Sequence, residues 1–195
     1  MHEASRCAKF NAAMNQHSIT SQPISPIPAD NLQRNLAVAN PDKARSLPHV
    51  GVAGDTYTIL LSSEDTDGRY CLIDMFIPPG GGPPPHRHDF EESFSILEGE
   101  IEVTFRGEKS VARAGVTINI PANAPHSFTN ASKQPARMLC ICSPGGQDEF
   151  FLAIGVPVAS RTTVAPKPDE ATGAALMEKI TALLPKYRSE MVGGW

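Results

Sequence analysis

From about residue 50 to about residue 145 the chain is cut into short β-prone runs, with a turn signal roughly every 8 to 12 residues. Residues 56–61, 70–77, 93–97, 101–105, 109–112, 116–120, 126–130 and 136–142 read as strands, with 93–97 and 101–105 paired as a hairpin around Glu98-Gly99-Glu100. So many short strands predict an all-β fold, either an antiparallel sandwich or a closed barrel, and closure would hide the sheet edges. The 18 prolines and 15 glycines suit that reading and argue against a helical bundle.

The flanks follow other rules. Residues 1–45 carry Pro23, Pro26 and Pro28 and no periodicity, so they read as an irregular arm. Residues 46–160 hold the barrel, and 161–195 form a C-terminal helical extension. Within these limits 147–154 reads as a short helix. Residues 169–184 read as a longer one: Asp169 and Glu170 occupy its first turn, Leu176, Ile180, Leu183 and Leu184 recur at helical spacing, and Pro185 stops it.

Charge and composition exclude several partners. The formal net charge is −4, acids and bases are mixed, and no basic stripe is available for nucleic acid. No run approaches the roughly 18 apolar residues of a membrane span. The first residues lack an apolar secretory core, so a cytoplasmic location is expected. Cys7, Cys71, Cys140 and Cys142 show no CxxC pairing; Cys140 and Cys142 share one face of a strand and read as buried thiols, with a soft-metal site as the alternative.

The chemistry concentrates in residues 80–93, Gly-Gly-Gly-Pro-Pro-Pro-His-Arg-His-Asp-Phe-Glu-Glu-Ser. Alternate residues of a strand point the same way, so His86 and His88 share a face, and Glu92 joins them if the strand runs on unbroken. Arg87, Asp89 and Glu91 then point outward. Two imidazoles and a carboxylate suit a divalent transition metal, and His126, opening a later strand after a proline-bounded turn, is the candidate fourth ligand. His2, His17 and His49 lie outside the barrel pattern and read as solvated. Phe94, Ile96 and Phe128 share parity with the ligands; they line a pocket over the metal or simply fill the core. Residues 80–85 form a stiff lead-in to the ligand strand, or part of a pocket rim.

Gly80-(5)-His86-(1)-His88-(3)-Glu92-(6)-Gly99 resembles the first motif of the cupin superfamily, and Gly115-(5)-Pro121-(1)-Asn123-(2)-His126-(3)-Asn130 resembles the second. Asn123 stands where the family usually has glycine, and asparagine tolerates the left-handed backbone such a turn needs. The likeness is to small single-domain cupins of the quercetin-dioxygenase-like kind. It implies a jelly-roll barrel (the double-stranded β-helix), one divalent metal (Fe, Mn, Ni, Cu or Zn) on His86, His88, Glu92 and His126, and a homodimer. It also implies that Glu92 doubles as a catalytic base. The function expected is a dioxygenase-like oxidation of a small hydroxylated or phenolic molecule. A metal-dependent isomerase, epimerase or lyase, and a non-catalytic small-molecule binder, are the alternatives.

Overall fold

The computed structural model describes residues 26–43 and 46–193. The chain divides into two units, one running to Arg34 and the other from Asn35 onward. In the first, the described residues form only an isolated turn, closed by the Arg34 N–H donating to the Asn31 carbonyl at 3.0 Å. His2, Cys7, His17 and Pro23 lie outside the described residues.

The second unit carries all the regular structure. In chain order it runs β1 (His49–Val52), β2 (Asp55–Leu61), β3 (Cys71–Ile77), β4 (His86–His88), β5 (Glu91–Glu98), β6 (Glu100–Phe105), β7 (Glu108–Arg113), β8 (Thr117–Ile120), β9 (His126–Thr129) and β10 (Ala136–Ser143). Then come α1 (Gln147–Ile154), β11 (Val156–Pro157), α2 (Glu170–Leu183), a 3-10 turn (Leu184–Tyr187) and β12 (Ser189–Met191). Seven strands form one antiparallel sheet in the order β11-β1-β2-β3-β10-β5-β8, and five form a second in the order β12-β4-β9-β6-β7. The two sheets give the jelly-roll fold that the motifs imply.

Alternation explains which faces meet. On β10, Ala136, Met138, Cys140 and Cys142 are buried while the residues between them reach outward. On β5, Glu92, Phe94 and Ile96 do the same. With Ile73, Met75 and Ile77 of β3 these side chains build the core. Each large one contributes about 1.5–3 kcal/mol by leaving water, and truncating Phe94 to alanine would cost about 3–5 kcal/mol.

Several expectations are corrected. Residues 93–97 and 101–105 do not pair: β5 bonds β10 and β8, whereas β6 bonds β7 and β9. One residue between strands cannot close a hairpin; Gly99, at φ 71°, turns the chain from one sheet into the other. The true hairpin is β6–β7, closed by Arg106-Gly107, both at positive φ as a tight two-residue turn requires. His49 is not outside the barrel: it opens β1 opposite Thr58 and is half-buried, with its Nδ1 2.7 Å from the Thr58 hydroxyl oxygen. Pro185 does not end the C-terminal helix outright. The α-helix stops at Leu183 and tightens into the 3-10 turn, whose start accepts a proline because it needs no N–H there.

Beyond that turn the chain returns as β12 and pairs with β4, setting Ser189 against His88 and Met191 against His86. An Arg87–Glu190 ion pair and an Arg188–Asp89 contact at 2.6 Å fasten it. The ligand-bearing strand therefore has neighbours on both sides, β12 and β9.

Candidate metal centre

His86, His88, Glu92 and His126 come together, their ligating atoms all within 4.8 Å of one another. The route differs from the unbroken strand expected. β4 belongs to one sheet and β5 to the other, and the chain crosses between them at Asp89-Phe90. Glu92 meets the histidines because the two sheets face each other. His86 and His126 are direct partners across β4–β9, with ring centroids 4.3 Å apart. The turn before β9 is docked on β4: the Asn123 N–H donates to the His88 carbonyl at 2.7 Å, and Asn123 takes the left-handed conformation, φ 68°. Arg87, Asp89 and Glu91 are exposed.

Each imidazole is oriented by a backbone carbonyl two residues away. Nδ1 of His86 lies 2.9 Å from the Pro84 oxygen, that of His88 3.0 Å from the Phe90 oxygen, and that of His126 2.9 Å from the Ala124 oxygen. A ring that donates from Nδ1 presents a bare lone pair at Nε2. Nε2 of His88 and of His126 stand 3.1 and 3.2 Å from Glu92 Oε2. Lone pairs of nitrogen and a carboxylate oxygen cannot sit so close in a buried space without a cation or a proton between them. Three nitrogens and one oxygen fit a divalent transition metal.

Charge states agree with that donor set. Burial opposes the charged form of Glu92; where Nε2 of His126 and His88 carries the proton, its hydrogen bonds outweigh burial and hold the carboxyl below its usual range, and a cation in the proton's place favours the carboxylate in the same way. Burial, helped by the neighbouring His126, lowers His86 to about 4. Cys140 Sγ and Cys142 Sγ lie 3.4 and 3.8 Å from Glu92 Oε1. Burial pushes the Cys140 thiol up to about 12, and the hydrogen bond with Cys140 holds the Cys142 thiol well above its usual range. Both thiols thus stay protonated; Cys140 donates to Oε1 and Cys142 to the Cys140 sulfur 3.6 Å away, leaving Oε2 turned toward the imidazoles. Among the described residues Cys71, Cys140 and Cys142 are free and buried.

A cavity of about 140 Å³ opens beside the cluster, with His86 and Glu92 in its wall. Phe128 lines it; Phe94 and Ile96 do not, and pack instead in the core, Phe94 edge-on to Phe128 at 5.3 Å. Sequence reasoning missed Asp55, Tyr57 and Gln147, which are polar, and the apolar cover that Phe150, Ile180 and Met191 provide from α1, α2 and β12. A signal was present for Asp55: an acid ahead of a strand that is otherwise apolar or hydroxylic. Its Oδ2 accepts from the Tyr57 hydroxyl at 3.1 Å and the Gly82 N–H at 3.0 Å. Burial raises this carboxyl to about 6, against those hydrogen bonds and the attraction of Lys167.

Residues 73–142 match the model of the Cupin domain family. Over 102 residues, 52% of this chain, the sequence is 28% identical to the quercetin 2,3-dioxygenase of Bacillus subtilis, of which the match covers 30%. Over 77 residues, 39% of this chain, it is 35% identical to an uncharacterized protein of Methanocaldococcus jannaschii, of which the match covers 62%. The likeness therefore spans less than two-thirds of either relative. Among solved structures, an RmlC-like cupin from Shewanella frigidimarina superposes with a TM-score of 0.50 at 17% identity, over 60% of this chain and 99% of that one. KdgF from Halomonas sp. does so at 0.51 and 16%, over 59% and 99%. At such identities the likeness is one of fold.

Proposed function

Through residues 73–142 this chain belongs to the cupin superfamily, and from that premise we propose that it is a metal-dependent oxidoreductase of dioxygenase type acting on a small hydroxylated or phenolic molecule. One observation carries the proposal: three oriented imidazoles and a buried carboxylate converge on one point, and two of the four, His86 and Glu92, reach the wall of an apolar cavity of about 140 Å³. When bound there, a redox-active divalent ion supplies the Lewis acidity and the electron exchange with dioxygen that such a reaction needs.

The protein's own residues do the rest. The carbonyls of Pro84, Phe90 and Ala124 fix which nitrogen of each ring faces the site. Glu92, with Oε1 held by the Cys140 thiol, offers Oε2 as ligand and as the atom that takes a proton from a substrate hydroxyl. Phe128, Phe150, Phe151 and Ile180 exclude water and receive an apolar ring. A homodimer in the cytoplasm belongs to the same proposal; free, buried cysteines suit a reducing compartment, and light scattering of the full chain checks the mass.

Elemental analysis of protein purified without added metal, followed by oxygen-electrode assays with single-ring phenols and diols, tests the reading. The expected result is close to one redox-active ion per chain and oxygen uptake with at least one compound. If the Fe, Mn, Ni and Cu forms all leave oxygen untouched across the panel, the oxidoreductase reading is wrong. Turnover by a zinc form without oxygen uptake would point to an isomerase or lyase.

A further inference from the structure

His88 is gripped more firmly than the other two ligand imidazoles, and one residue supplies the extra hold. The Phe90 carbonyl oxygen stands 3.0 Å from His88 Nδ1, and the Phe90 ring lies flat on the His88 ring, with centroids 3.8 Å apart and planes 4° from parallel. Both side chains are buried. His86 and His126 each have a carbonyl against Nδ1, but among the described residues neither has a ring stacked on it; they meet each other at a tilt of 54°.

The two contacts restrain different motions. A hydrogen bond from Nδ1 fixes the tautomer and the direction of one N–H, yet leaves the ring free to swing about that bond. The swing re-aims the lone pair of Nε2, the atom that stands 3.1 Å from Glu92 Oε2. A parallel ring in close contact blocks it, because any tilt drives one edge of the imidazole into the phenyl face.

Phe90 is itself anchored. It sits where the chain crosses from β4 to β5, and the residue before it is tied to the C-terminal turn twice. The Asp89 N–H donates to the Arg188 carbonyl at 2.9 Å, and the Asp89 carboxylate accepts from the Arg188 guanidinium at 2.6 Å. Phe90 also occupies one of the three positions that the first motif leaves unspecified between His88 and Glu92, so this hold belongs to the chain and not to the motif.

We propose that Phe90 is a positioning residue for the metal centre: its ring, stacked on His88, keeps the imidazole at the tilt that aims Nε2 into the cluster before an ion arrives. The inference rests on the metal centre of the function proposed above, and on no step of the reaction proposed for it.

Phe90→Leu removes the flat face while keeping an apolar side chain and the backbone carbonyl; Phe90→Tyr restores the face. The full chain, freed of metal, is titrated with cobalt(II) in competition with a chelator. The visible absorption of the bound ion is recorded as well, since its bands report the geometry of the ligands. Phe90→Leu should bind cobalt about 10-fold more weakly than the wild type, the lower end of what losing an outer partner of a ligand costs, and its bands should be displaced. Phe90→Tyr should return both affinity and bands to wild-type values. A side chain that merely fills space would leave the bands in place even where the melting temperature falls.

Unmoved bands in Phe90→Leu, or an affinity within about twofold of the wild type, overturn the proposal, as does a Phe90→Tyr variant no better than Phe90→Leu. Each of these leaves the metal centre standing. If the wild type takes up no cobalt, or takes it up equally after His126→Ala, the metal centre itself is misread and this inference falls with it. Should Phe90→Leu not fold, Phe90→Met, apolar and unbranched, is read in the same way.

Discussion

Replacing Asp55 by asparagine should change stability in a way that depends on pH, by an amount set by the site. The carboxyl titrates at about 6 in the folded chain against an ordinary 3.8; burial is the leading cause, opposed by Tyr57, Gly82 and Lys167. At about 1.4 kcal/mol per pH unit, ionising Asp55 inside the fold costs about 3 kcal/mol in all. The folded state holds this proton more tightly than the unfolded one. Its stabilising contribution is therefore complete below pH 3.8, erodes as the pH rises, and is gone once the pH has passed about 6. Asparagine does not titrate, so between pH 5 and 8 the stability difference should move in favour of Asp55→Asn by about 1.4 kcal/mol. Urea unfolding of both proteins at matched metal loading measures this. Comparing them at each pH cancels the groups they share. A difference flat to within about 0.5 kcal/mol over that range, the ordinary scatter of additivity, would refute the claim that Asp55 is buried and destabilised when charged.

Other outcomes follow from the same geometry. Losing an outer hydrogen-bond partner of a ligand typically lowers metal affinity about 10- to 100-fold; His126→Ala, which removes a ligand itself, should lower it further by competition with a chelator, while His49→Ala should leave metal content unchanged. Gly81→Ala drives a methyl into Asp55 Oδ1, and overpacking of that kind should cost about 1–3 kcal/mol of stability in urea. A chain ending at Tyr187 lacks the strand that flanks His86 and His88, so bound metal should exchange into a chelator several-fold faster than from the full chain; equal rates would mean that β12 does not hold the ligand strand in place. Cys140→Ser should retain the metal, because the protonated thiol acts on Glu92 as a donor, and loss of metal in that variant would mark the sulfur as a ligand.

The four-residue cluster was legible because its spacing carries nearly all the information: HxH, a glutamate four positions on and a later histidine after a proline turn. Even so, parity along one strand reached Glu92 by a path the chain does not take, since the strand breaks at Asp89-Phe90 and changes sheet. Alternation alone cannot distinguish a continuous strand from two that face each other. β1, β11 and β12 have four, two and three residues, too few for any period to register. Asp55, Tyr57 and Gln147 escaped for another reason. Each lies far from the motifs in sequence and reaches the cavity only through tertiary packing. Asn123 was read correctly from its chemistry alone, as a side chain that tolerates positive φ.

The provenance of the cavity wall has a consequence for how such a protein changes over generations. His86, His88, Glu92 and His126 all fall within a stretch of about forty positions, whereas Phe150, Phe151, Met177, Ile180 and Met191 come from the C-terminal quarter of the chain. The rest of the wall, Val52, Asp55, Tyr57, Met75 and Phe128 among it, belongs to the barrel, so the later length supplies one side of the cavity only. Mutation in the later length can reshape that side of the cavity while the His-Glu cluster passes on untouched, and exchanging residues 147–191 between homologues would alter what the cavity admits from that side alone.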